Sequence, residues 1–319
     1  MLTLFSTPKP FRGHIAVIQR NALESWRRLD ADVEVILFGD DEGTTEVCRD
    51  LGLRHEPYVE RSKHGTKKLD SIFGRAQAVA RHEMIGYVNC DIVLTHEFVD
   101  ALRRVLTWRA RFLMVGRRWD TDITESLDFS SADWQQKVIA RARTEGYQRF
   151  YHNIDYFVFP RGLYAQIPDL VIGRVGWDHW LVETAHREGV AVVDVSDAVC
   201  AVHQNHDYGY HPQGMEGVWK DEEARRNLEL AGGAGHTRTI EDAEFKLAPT
   251  GIVPNNFFWL APAKRRWRDI SRVVRGALRT CIWHPLLDAT RPLRHAVGLK
   301  EDRVPAGLRS RGRRHWMDE

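Results

Sequence analysis

The chain has 319 residues, with 46 Lys and Arg against 44 Asp and Glu, and 43% of its residues are hydrophobic. That content supports a packed core and excludes a disordered or fibrous chain, and no stretch reaches the roughly 20 uncharged apolar residues of a membrane-spanning helix. Cys48, Cys90, Cys200 and Cys281 are far apart and form no C-x-x-C pair, which excludes a disulfide framework and a thiolate zinc site and predicts reduced thiols. The opening MLTLFSTPKPFRG has no basic segment leading into a long apolar run, so a cytoplasmic location is expected.

Leu2 to Phe5 predicts a short strand that ends in Ser-Thr-Pro, and Ile15, Ile18, Ala22, Trp26 and Leu29 then recur at helical spacing. Asp32 to Phe38 (DVEVILF) is an apolar, β-branched run, as expected of a strand buried on both faces, and it stops at Gly39-Asp40-Asp41. A short helix over Thr44 to Leu51 and a polar stretch lead to a helix from Leu69 to His82, and Ile85 to Leu94 (IGYVNCDIVL) predicts a strand with polar residues inside it. Alternating strands and helices argue for an α/β class, with a mostly parallel sheet covered by helices on both faces. Phe112 to Gly116, Asp155 to Phe159, Val190 to Val195 and Val199 to Val202 predict further strands of the same sheet, and Trp134 falls on a helix.

Charge divides the chain. Residues 264–319 carry 15 Lys and Arg and 6 Asp and Glu, whereas the remainder carries 31 and 38. In this tail Trp267, Ile270, Val274, Leu278 and Cys281 fall on one helical face, opposite Arg265, Arg268, Arg272, Arg275 and Arg279. An amphipathic basic helix of this kind suits the headgroup region of an anionic membrane, and docking of the apolar stripe on the core is the competing reading. The expected organisation is a domain over 1–230, a linker over 231–263 that includes the Gly-rich AGGAG, and a basic tail over 264–319. An acidic core and the lack of a base-reading motif argue against nucleic acid as a partner.

Ligands of open α/β sheets bind beyond the carboxyl ends of the strands, which directs attention to Ser6-Thr7-Pro8, Asp40-Asp41 and Asn89-Cys90-Asp91. Asp91 lies between two apolar stretches, where an unpaired carboxylate is costly, so either a divalent cation or an ordinary polar partner should compensate it. The order of Ser-Thr-Pro, Gly-Asp-Asp, the helix at Leu69-Asp70-Ser71-Ile72-Phe73 and Tyr87-Val88-Asn89-Cys90-Asp91 resembles the nucleotide-sugar half of a GT-A-fold glycosyltransferase, bacterial and family-2-like, with Asn-x-Asp in place of Asp-x-Asp. Later segments, Asn153 to Pro160, Gly176 to Trp180 and His203 to Tyr208, are similar to a bacterial group of such transferases, so the resemblance spans Leu2 to Leu230.

The resemblance implies a Rossmann-like sheet, a nucleoside diphosphate sugar as donor, and Mn or Mg as cofactor. Ser6, Thr7, Asp40, Arg75, Asn89 and Asp91 would then bind the nucleotide, Asp91 and His203 the metal, and Asp178 the acceptor hydroxyl as general base, with inversion preferred. The implied acceptor is a saccharide or lipid-linked hydroxyl in surface polysaccharide or glycolipid synthesis, at the inner face of the plasma membrane. Asn89 is a poorer cation ligand than Asp, which keeps open a catalytically weak, membrane-associated scaffolding role. A sugar nucleotidyltransferase lacks its Gly-rich loop here, and a His203, His206, His211 zinc hydrolase lacks a general-base Glu between its histidines. His206 and His211 are expected to knit a loop by hydrogen bonds, Asp178 could instead cap a helix, and Lys67 and Lys68 rank with Arg75 as cations near the diphosphate. Asp120, Asp122 and Asp155 are expected to be solvated loop acids.

Overall fold

The computed structural model of the chain describes residues 1–207, 214–233, 238–256 and 258. Its first elements follow the apolar pattern: β1 (Leu2–Ser6), α1 (Gly13–Arg27), β2 (Val33–Phe38), α2 (Thr44–Leu51), β3 (Arg54–Glu56), α3 (Leu69–Val79), β4 (Met84–Val88), β5 (Ile92–Val93) and α4 (His96–Trp108). They are followed by β6 (Phe112–Val115), β7 (Arg118–Thr121), α5 (Trp134–Glu145), β8 (Tyr147–Gln148), β9 (Tyr156–Pro160), α6 (Trp177–Arg187), β10 (Ala191–Asp194), β11 (Ala201–Gln204), α7 (Gly214–Lys220), α8 (Glu222–Leu230), β12 (Phe245–Ala248) and β13 (Gly251–Pro254). Among the described residues the large sheet has nine strands in the order β13-β12-β10-β6-β9-β4-β1-β2-β3. It is mostly parallel, with β9 antiparallel to both β4 and β6, and β13 antiparallel to β12.

Strands buried on both faces need apolar residues at every position, and period-two alternation then sorts them between two cores. Leu2 and Leu4 of β1, Val35 and Leu37 of β2, and Tyr156 and Val158 of β9 join one core, with Trp26 of α1 and Phe98 and Leu102 of α4. Their neighbours Phe5, Ile36, Phe38, Phe157 and Phe159 face the other, with Phe73 of α3 and Trp180 and Leu181 of α6. Each such side chain contributes about 1.5 to 3 kcal/mol of burial, so a one-residue slip of any central strand would exchange whole sets between the cores. Helix ends obey local rules: α2 stops at Gly52, whose φ of 65° is left-handed, and Asp221 caps α8 by accepting from the Ala224 amide at 2.7 Å.

A second sheet, in the order β5-β11-β7-β8, packs with α5 around Val93, Trp134, Val138 and Val202. The single strand expected over Ile85 to Leu94 is therefore two strands in different sheets. The Asn89 amide donates to the Asp155 carbonyl at 2.8 Å and the Ile92 amide turns back to the Asn89 carbonyl at 3.1 Å, so Asn89-Cys90-Asp91 is the turn where the chain changes sheet. Trp26 Nε1 reaches across to the Ile92 carbonyl at 2.8 Å and satisfies its polar edge while the ring fills the core. The strand expected over Val199 to Val202 begins at Ala201 and belongs to the small sheet, not the large one. The expected linker is also corrected: β12 and β13 within it pair onto the edge of the large sheet. Among the described residues no helix is long and apolar enough to cross a membrane, and the basic tail over 264–319 lies outside those residues.

Candidate active-site cleft

The carboxyl ends of β1, β2 and β4 open into a cleft of about 930 Å3. Because β9 runs antiparallel to β4, pairing Tyr156 with Val88, the residue just before it, Asp155, arrives at the same edge as the residues that end the parallel strands. One wall is tied together by Lys67. Its ammonium donates to Thr7 Oγ1 at 2.6 Å and to the Pro8 carbonyl at 2.9 Å and pairs with Asp41, while Thr7 Oγ1 donates to the Phe38 carbonyl at 2.8 Å. Burial lowers the Lys67 pKa, and the Asp41 carboxylate opposes that shift. Gly39 is required here: its φ is 108°, and a Cβ would stand 3.0 Å from both Asp41 Oδ2 and Lys67 Nζ.

The other wall gathers Asp91, His203 and His206, whose ligand atoms lie within 4.8 Å of one another. Strand register explains the meeting: on β11, His203 pairs with Ile92 of β5, next to Asp91, and with Asp120 of β7. His203 Nε2 is 3.9 Å and His206 Nε2 is 3.1 Å from Asp91 Oδ2. On its far side His203 Nδ1 faces Asp120 Oδ1 at 3.3 Å, the carboxylate–imidazole arrangement that orients metal-binding histidines. His206 Nδ1 lies 2.6 Å from the Asp207 carbonyl, which can only accept, so Nδ1 carries a proton and Nε2 is the ring atom turned to Asp91. Burial would raise the Asp91 pKa, but His203, His206 and Lys9 hold it far below the usual carboxylate range.

These residues fit a divalent cation. Asp91 Oδ1 is buried without a hydrogen-bond partner among the described residues, and one carboxylate with two imidazoles is a donor set for Mn or a softer ion in preference to Mg. Behind the cluster Arg118, 8% exposed, binds both oxygens of Asp155 at 2.8 Å and donates its Nε to Asp120 at 2.8 Å. Arg149 completes the group at 2.6 Å from Asp120. Burial works against the Asp120 charge, yet the adjacent His203 imidazole and the Arg118 and Arg149 charges keep that carboxyl strongly acidic.

Of the residues that the sequence nominated, Thr7, Asn89, Asp91, Asp178 and His203 line the cleft. Ser6 does not: it is fully buried one residue before the rim. Asp40 points to solvent and pairs with Arg61 at 2.8 Å, and its neighbour Asp41 takes the cleft position. Arg75 is also outside, on the exposed face of α3, where it pairs with Glu56 at 2.9 Å. Lys67 reaches the cleft as a strut, while Lys68 pairs with Asp169 at 3.0 Å away from it. Asp178 sits in the first turn of α6, whose cap is Gly176, so it is not the cap, and it lines the cleft. His206 ties its loop through the Asp207 carbonyl, as expected, and is also a member of the metal-capable cluster, whereas His211 lies outside the described residues. Asp120 and Asp155 are buried in the Arg118 network; Asp122 is exposed and accepts from Asn205 at 2.7 Å.

Asn89 has a specific partner. Its Nδ2 donates to Asp155 Oδ1 at 2.6 Å, so the amide supplies a donor where a carboxylate would meet another carboxylate. Lys9, Arg61, Arg118 and Arg174 also line the cleft and were not foreseen. Only Lys9 had a readable signal, a lysine between two prolines just past the first strand.

No protein-family model matches the chain, and no curated protein matches it. Among solved structures it is similar to glucosyl-3-phosphoglycerate synthase from Mycobacterium tuberculosis in complex with Mn2+, UDP and glucosyl-3-phosphoglycerate, at 14% identity and a TM-score of 0.45, over 73% of this chain and 80% of that one. The same enzyme with Mg2+ and UDP gives 15% identity and a TM-score of 0.46, over 73% and 80%. S. aureus TarS 1–349 in complex with UDP-GlcNAc gives 10% identity and a TM-score of 0.46, over 72% of this chain and 64% of that one. Likeness at this level transfers no activity to the chain.

Proposed function

We propose that the protein is a glycosyltransferase that moves a sugar from a nucleoside diphosphate donor to a hydroxyl acceptor. The observation that carries this reading is the junction of one cleft wall built on β1 and β2 with a half-buried cluster of one carboxylate and two imidazoles, Asp91 after β4, His203 on β11 and His206 after it, in a cleft that Asp178 also lines. Nucleotides bind at such strand ends, and oxygen-rich diphosphates demand concentrated positive charge. A divalent cation held by Asp91, His203 and His206 would supply Lewis-acid stabilisation of the departing diphosphate.

The chain's own groups account for the remaining tasks. The Thr7–Lys67–Asp41 wall shapes the pocket for the nucleoside, and the edge of Trp177, buried against Tyr87 at 5.3 Å, completes the cleft lining. In the transfer, the bond between the sugar's anomeric carbon and the β-phosphate oxygen breaks, and its electron pair leaves with the diphosphate. The acceptor oxygen bonds to the anomeric carbon, and its proton passes to the Asp178 carboxylate and then to solvent. A base held opposite the leaving group favours inversion.

The test is calorimetric titration of the full chain with UDP, GDP, ADP, CDP and dTDP, with and without Mn2+, beside Asp91→Ala. One nucleotide should bind in a Mn2+-dependent manner and lose that binding in the variant; wild-type protein that binds none of the five overturns the reading. Product analysis with the matching nucleotide sugar then distinguishes transfer from hydrolysis, the second activity open to a carboxylate–imidazole metal site, because hydrolysis releases free sugar without an acceptor. Deleting residues 264–319 and measuring sedimentation with anionic liposomes tests the membrane-proximal acceptor: unchanged sedimentation removes it.

A further inference from the structure

The small sheet has two unlike faces. Period-two alternation sends Trp119 of β7 toward α5 and the core around Trp134 and Val138, and puts its neighbour Asp120 on the opposite face. Across that second face the register sets three residues in one row: Tyr147 of β8 pairs with Asp120, and Asp120 pairs with His203 of β11. Side chains paired across strands share a face, and the contacts agree. His203 Nδ1 is 3.3 Å from Asp120 Oδ1, and Arg149, just beyond β8, donates its Nε to Asp120 Oδ2 at 2.6 Å. Tyr147 therefore stands on the face of the metal-capable cluster, separated from His203 by the spacing of three adjacent strands, about 10 Å.

Its ring is left in water. Tyr147 is 51% exposed, and Phe150, 44% exposed, lies beside it with ring centroids 6.0 Å apart and planes at 69°. From Phe150 the chain turns, with the Asn153 amide donating to the Phe150 carbonyl at 3.3 Å, and enters the cleft, which Asn153, Ile154 and Asp155 line. The ring pair is thus continuous with the cleft by chain and by register. Its size selects the occupant. Two half-exposed rings offer about 200 Å2, whereas a stable protein partner needs about 800 Å2 on each side, and the exposed Arg143, Thr144 and Glu145 that lead into the pair are polar. A single pyranose is enough to cover one such ring, with its C–H bonds on the negative π face and its hydroxyls in water.

We propose that Tyr147 and Phe150 form a saccharide subsite, which holds an acceptor chain by a sugar ring other than the one whose hydroxyl reacts. This rests on the glycosyltransferase reading and names the acceptor class, an oligosaccharide gripped at a distance from the reaction. A ring stacked here is bound alike before and during transfer, so the subsite lowers the acceptor concentration that the reaction needs and leaves the chemical step to the cleft.

The experiment uses the full chain, wild type against Tyr147→Ala, Phe150→Ala and Tyr147→Trp. Each protein is applied to an array of immobilised oligosaccharides, and the glycan that wild type binds is then titrated in solution by calorimetry. Loss of one stacked ring predicts roughly a threefold to tenfold loss of oligosaccharide affinity in Tyr147→Ala and in Phe150→Ala. Tyr147→Trp keeps a stacking face and should bind as wild type does. Wild type that binds no glycan on the array, or alanine variants that bind as tightly as wild type, overturn the assignment. Alanine variants with a changed sedimentation coefficient and an unchanged glycan affinity also overturn it, since a second copy or another part of the chain would then cover the rings. Titration of the same proteins with nucleoside diphosphates reads the transferase separately. Glycan binding that depends on Tyr147, without binding of any nucleotide, overturns the transferase reading and leaves a saccharide site, whereas nucleotide binding without glycan binding removes the subsite alone.

Discussion

Replacing Asn89 by Asp recreates the acid of the Asp-x-Asp pattern, and the structure predicts that it harms the protein. The wild-type amide donates to Asp155 at 2.6 Å. In Asn89→Asp that donor is lost and a second carboxylate takes its place. Two unit charges at that separation repel by about 6 kcal/mol at an effective dielectric constant of about 20. Protonating one of them at about pH 7.5 caps the cost near 5 kcal/mol, and the Arg118 guanidinium on Asp155 reduces it, so we expect a loss of about 3 to 5 kcal/mol. The sign with pH follows from linkage. A carboxyl of the variant pair binds its proton more tightly folded than unfolded, so the penalty is full at neutral pH and shrinks below about 2 kcal/mol near pH 5. Urea denaturation of wild type, Asn89→Asp and Asn89→Ala at both pH values measures this. An Asn89→Asp protein as stable as wild type at neutral pH, or one with tighter Mn2+ binding, would refute the argument and make residue 89 a metal ligand.

Arg118→Met strips two buried carboxylates of their shared partner and should cost about 3 to 5 kcal/mol, read from the denaturation midpoint. Asp120→Asn removes the anion behind His203 and should weaken Mn2+ affinity about 10 to 100-fold while the fold persists; calorimetry that shows no change would detach Asp120 from the metal cluster. Burial raises the Asp194 pKa to about 6 despite its bonds from the Ser196 amide and hydroxyl. A raised carboxyl pKa stabilises the fold only while the proton is bound, so stability falls as pH rises from about 4 to about 6. Asp194→Asn keeps the acceptor oxygen, should gain up to about 3 kcal/mol at pH 8, and should gain nothing at pH 4; equal gains at both pH values would contradict the burial argument.

The sequence makes legible what depends on local periodicity. The short helix expected around Thr44 to Leu51 is α2, and β1, β2 and β6 are read within one residue, because strands buried on both faces are nearly continuous apolar runs. What it hides is pairing. Ile85 to Leu94 reads as one strand since Ile92 and Val93 are as apolar as Ile85 and Val88, and only the register of β5 with β11 reveals that they belong to another sheet. Within the site, Asp91 and His203 are found by the company they keep in sequence, whereas Arg118 and Asp155, 37 residues apart, look like ordinary loop charges until β7 and β9 bring them together. The exchange of Asp40 for Asp41 has the same origin: two adjacent acids differ only in which way the turn after Gly39 directs them.

The metal-capable cluster spans a long stretch of chain, with Asp91 and His206 115 positions apart. No fragment that forms early can hold such a site, so it cannot template folding as the close-spaced ligands of a zinc finger do. An ion binding there recognises only the finished molecule. Its whole binding free energy should therefore appear as global stabilisation, with a saturating ion at about 100 times its dissociation constant adding about 2.7 kcal/mol. The melting temperature then becomes a gauge of occupancy that ranks Mn2+, Mg2+ and Zn2+ without knowledge of the sugar or the acceptor.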